Sequence, residues 1–77
     1  MPTIIQERGF RVVIHLHDHF PAHVHVRKAG QQARIGLSPL EVWDSEFTPG
    51  DTRRALSIVE ANRDILMSEW RGIHGEG

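Results

Sequence analysis

The chain has 77 residues, no cysteine and a formal net charge of −1. That length suits one domain, residues 1–77, with a small core, and the lack of cysteine excludes a disulfide scaffold, a thiolate zinc site and a cysteine nucleophile. The near-neutral charge excludes a strongly basic nucleic-acid binder, and no apolar run approaches the roughly 20 residues of a membrane span, so a cytoplasmic location is expected.

Thr3–Gln6 reads as a short opening strand. Gly9 marks a turn, after which Phe10, Val12, Ile14 and Leu16 alternate with Arg11, Val13, His15 and His17, the period of two of a half-buried strand. Asp18-His19-Phe20-Pro21-Ala22 breaks the alternation, because Pro21 has no amide hydrogen and a fixed φ. Alternation resumes at His23-Val24-His25-Val26-Arg27, with the valines on one face and His23, His25 and Arg27 on the other. Ala29-Gly30 predicts a turn, Ala33, Ile35 and Leu37 a further strand, and Leu40–Trp43 a last short one.

The period then changes. Leu56, Val59, Arg63, Leu66, Trp70 and Ile73 recur at steps of three and four. Thr48 is suited to cap a helix, Pro49 to its first position and Asp51 to its first turn, while Gly72 is a natural stop. The prediction is one C-terminal helix over about 49–71, some 33 Å long at 1.5 Å per residue. Strands over about 3–43 followed by a helix give an α+β fold. The expected architecture is a three- or four-stranded, mainly antiparallel sheet with one long helix packed on its apolar face. Trp43 and Trp70 are expected as core or interface anchors.

Charge is unevenly divided. Residues 1–38 carry five basic and two acidic side chains, residues 39–77 four basic and eight acidic ones. Arg11, Arg27, Lys28 and Arg34 therefore suggest an anion-binding half. Five of the six histidines fall within residues 15–25. In a hairpin with His17 opposite His23 and His15 opposite His25, four imidazoles would form a square on the face away from the helix. Three chemistries suit such a cluster. His17, His19, His23 and His25 could ligate zinc or nickel. His23 and His25, supported by His19, could act as acid and base in RNA cleavage without a cofactor, with the arginines steering phosphate. Or the rings could be structural, at a dimer interface or capping loop carbonyls. A core this small makes a homodimer expected.

Met1-Pro2-Thr3-Ile4, Gly9-Phe10-Arg11, the segment Asp18–Val26 and the late Arg53-Arg54-Ala55-Leu56…Trp70 resemble the bacterial domain-of-unknown-function family 4160 over nearly the whole chain. Its pattern His-x-Pro-Pro-His-aromatic-His-Val is matched by His19, Pro21, His23, His25 and Val26. Ala22 and Val24 depart from it, and His15 and His17 lie outside it. The resemblance implies one component of a two-gene unit similar to toxin–antitoxin modules. From that follow a cognate small protein as partner and RNA as target of a toxin-like component, with a non-catalytic, antitoxin-like binding module as the alternative.

Overall fold

Two tight turns organise the N-terminal half. Arg8-Gly9 and Ala29-Gly30 all have positive φ, +55° and +85° in the first pair, +52° and +80° in the second. Positive φ at both central residues is the geometry that joins two twisted antiparallel strands with a two-residue loop, and glycine at the second position accepts it without a Cβ penalty. In the computed structural model, which describes residues 3–15 and 19–75, these turns link β1 (Thr3–Glu7) to β2 (Phe10–Val13) and β3 (His23–Lys28) to β4 (Gln31–Leu37). A Ser38-Pro39 turn leads to β5 (Leu40–Ser45). The strands pair in chain order, every pair antiparallel.

The sheet thus has five strands, not three or four. Both short segments at the ends of the strand region, Thr3–Glu7 and Leu40–Ser45, are edge strands. Each has one neighbour, so its sequence carries a weaker alternation than β3 or β4.

The C-terminal half is two helices instead of one. Helix α1 spans Pro49–Ala61 and α2 spans Arg63–His74, separated by Asn62. The Asn62 side-chain amide donates to the Ile58 carbonyl at 2.8 Å, and its backbone N–H donates to Val59 O at 3.2 Å. Asparagine competes in this way with the regular helical bonds, and the ladder restarts with Leu66 N–H to Asn62 O at 3.0 Å. The expected start is present: Thr48 accepts from the Asp51 N–H at 3.1 Å, with Pro49 in the first turn. The stop is not Gly72, which lies inside α2; the helix runs to His74 and ends before Gly75, at φ +81°.

Both helices pack on the apolar face of the sheet, and the end of α2 also reaches the His23 side through Trp70 and His74. Phe10, Val12, Ile14, Val24, Val26, Ala33, Ile35 and Leu37 meet Ala55, Ile58 and Val59 of α1 and Leu66 and Trp70 of α2 in one core. Arg63 occupies an apolar-stripe position because its Nε donates to the Leu37 carbonyl at 2.6 Å. No helix among the described residues is long and apolar enough to cross a membrane.

Candidate functional site

The face away from that core carries the chemistry. Arg11 pairs with Arg27 across β2 and β3, and Val13 pairs with His25 in the next row, about 7 Å further along at two residues' rise. On the β4 side, His25 stands opposite Arg34 and His23 opposite Gly36. The expected histidine square is not formed as drawn. His25 faces Val13 instead of His15, a shift of two residues, which keeps the side-chain face but moves His25 one row. His17 and Asp18 lie outside the described residues.

A continuous set of aromatic rings takes the square's place. His15, just beyond the end of β2, puts its ring centroid 4.0 Å from that of His25, and His23 is 5.2 Å from His25. The His23 ring also lies 4.5 Å from Trp43 and 5.5 Å from Trp70, and Trp70 is 4.0 Å from His74. His23 and His25 are consequently buried, 6% and 8% exposed. His23 Nδ1 is 2.9 Å from the Pro21 carbonyl, which can only accept, so Nδ1 carries the proton. His74 Nε2 donates likewise to the His15 carbonyl at 3.1 Å and ties the end of α2 to the segment after β2. His19 is exposed beside Phe20 and makes no ring contact with His23 or His25 among the described residues. Among the described residues no three histidine or acidic side chains are placed to hold a metal ion.

The basic residues divide by partner. Arg11, Arg27 and Lys28 line one open concavity of about 460 Å³ with Gly9, Gln32 and Glu46. Arg11 and Arg27 are exposed, and Arg27 Nε donates to Gln32 at 3.3 Å. Lys28 is drawn towards the helix side, with its Nζ 4.7 Å from the Phe10 ring and 3.3 Å from Asp51. Arg34 lies on the face but is held by Asp44, to which its Nε donates at 2.8 Å. The hydrogen bond from Arg34 holds the Asp44 carboxyl below its ordinary value against a smaller opposing desolvation. Asp51 is pulled up by desolvation, but Lys28 and Arg54 together outweigh that and leave it lowered. Arg54 at the helix start is thus an ion-pair partner of Asp51, at 2.9 Å.

Trp43 is the residue whose place the sequence did not reveal. Arg34 pairs with Asp44 while Ile35 pairs with Val42, so Trp43 is the extra residue of a bulge in β5. A bulge re-aims a side chain, and here it sends the indole across β4 onto His23. Gly36 makes the room: a Cβ there would sit 2.6 Å from Trp43 Nε1 and 3.1 Å from Cε2.

This same stretch, from the first turn through the rings to α2, is what the comparison with known families matches, over residues 9–71. The chain belongs to DUF4160, a domain of unknown function. Neither a curated protein nor a solved structure matches it. In this DUF4160 chain the family-pattern histidines do not form one set. His23 and His25 join the buried rings and His19 stays outside them. His74, Trp43 and Trp70, all outside the pattern, complete the cluster.

Proposed function

We propose that this DUF4160 chain is a toxin-like component of a two-gene, toxin–antitoxin-like module that binds RNA on the Arg11–Arg27 side of its sheet. One observation carries the reading: Arg11 and Arg27, exposed and directly opposed across β2 and β3, line an open concavity on that face. Paired guanidiniums at this spacing suit the phosphates of a nucleic-acid backbone, because each presents several donors in a planar fork. The charge is local, so the formal net charge of −1 does not oppose it.

Binding is favoured over cleavage. Cleavage requires imidazoles that reach a ribose hydroxyl, and His23 and His25 are 6% and 8% exposed. A cognate small protein, the other half of such a module, would regulate by covering the same face and competing with RNA.

The test is retention of labelled cellular RNA by the purified protein, with and without EDTA, for the native chain, an Arg11→Ala/Arg27→Ala variant and a His23→Ala/His25→Ala variant. Retention of intact RNA that is lost with the arginines is the expected result. Shortened RNA that is lost with the histidines but persists in EDTA would reinstate metal-free cleavage. Shortening abolished by EDTA would instead make the histidines metal ligands. No retention in any lane would overturn the proposal.

A further inference from the structure

On the RNA-binding reading, we infer that Trp43 is a stacking platform for an unpaired base, so that the RNA bound is single-stranded. Four features of the fold converge on this indole. The bulge in β5 takes it out of ordinary pairing and aims it along the open face. Gly36, with no side chain, lets the ring settle against the sheet, since any Cβ would collide with Nε1 and Cε2. His23 supports it, at 4.5 Å between centroids and an interplanar angle of 30°. The Arg34 guanidinium, held by Asp44, lies over the indole at 5.9 Å from the ring centre, which places a cation on the same aromatic surface.

Trp43 remains partly exposed, whereas Trp70, in the same set of rings, is 1% exposed. A partly exposed aromatic ring packed against His23, with arginines on its own face, has the makings of a sheet that stacks bases while basic side chains track the backbone. The partner is specified by charge complementarity: Arg11, Arg27 and Arg34 share the face with the indole. Duplex RNA hides its base faces inside the stack and offers only phosphates and groove edges, so it would engage the arginines without the indole.

The experiment is one titration with two readouts. A short oligouridine carrying an end label, and an RNA duplex of equal length, are added to the native chain and to Trp43→Leu, Trp43→Phe and Gly36→Ala variants. Label anisotropy reports binding and tryptophan emission reports stacking. Circular dichroism and thermal unfolding confirm that each variant is folded. The expected result has the single strand quenching the native emission and the duplex leaving it unchanged. Trp43→Leu should weaken oligouridine binding about tenfold, Trp43→Phe less, and Gly36→Ala should weaken it by lifting the indole. Oligouridine binding with unchanged emission and unchanged affinity in Trp43→Leu would overturn the stacking inference and leave RNA binding standing. Quenching by duplex and single strand alike would overturn the preference for unpaired RNA. No binding of either RNA would overturn the RNA reading itself, and the inference with it.

Discussion

The two faces of the sheet are built from the same strands but under different constraints. On the helix-covered face, Val12, Val24, Val26, Ala33, Ile35 and Leu37 are fully buried and purely apolar. On the other face, polar and aromatic groups of three kinds share the surface: exposed arginines, buried imidazoles and a bulged tryptophan. The first face can be filled by any well-packed set of hydrocarbons of the right volume. The second buries His23 and His25 but leaves Arg11 and Arg27 exposed. Stability and binding should therefore separate by face.

The largest expected effect lies on the covered face. Leu66→Ala removes a fully buried side chain of α2 and should cost about 2–5 kcal/mol in denaturant unfolding. Arg27→Ala, on the exposed face, should change stability by no more than about 0.5 kcal/mol while weakening RNA binding. Comparable unfolding costs for the two substitutions would break the distinction between the faces.

The helix cap sharpens it at a smaller scale. Thr48→Ala deprives the Asp51 N–H of its acceptor and should lower stability by about 1 kcal/mol without altering RNA affinity. His74→Phe keeps a ring against Trp70 but removes the bond to the His15 carbonyl. It should cost about 1 kcal/mol and loosen the link between α2 and the segment after β2, readable as faster amide exchange near the end of α2.

The smallest effect is electrostatic. Asp44 and Asp51 have lowered pKa values in the fold, so their contribution is fully present above the ordinary value of 3.8. It is lost as pH falls through the lower native values. An Asp44→Asn variant should be slightly less stable than the native chain at neutral pH, and the gap should close in acid. A gap that widened in acid would contradict the assigned direction.

Much of the covered face was legible in the sequence, because alternation in β2, β3 and β4 and the Thr48-Pro49 helix start are local signals. The edge strands were recognisable as segments but not countable, since one-sided pairing leaves a weak pattern. The break at Asn62 was not legible, because it depends on which hydrogen bond one side-chain amide makes. On the open face, residue types were readable but positions were not. The imidazole rows depend on a register set by Val13 opposite His25. The place of Trp43 depends on a bulge, for which the only sequence trace is a glycine at Gly36. His74 lies beyond the helix expected over about 49–71, and it is packed on Trp70.

The most direct test of the open face is the salt dependence of single-stranded RNA binding by the native chain and by Arg11→Ala/Arg27→Ala. If both guanidiniums meet phosphates, the double variant binds more weakly, and its log–log salt slope is shallower by about 0.7 for each arginine removed. Identical affinity and slope in the two proteins would contradict placement of the RNA site on this face.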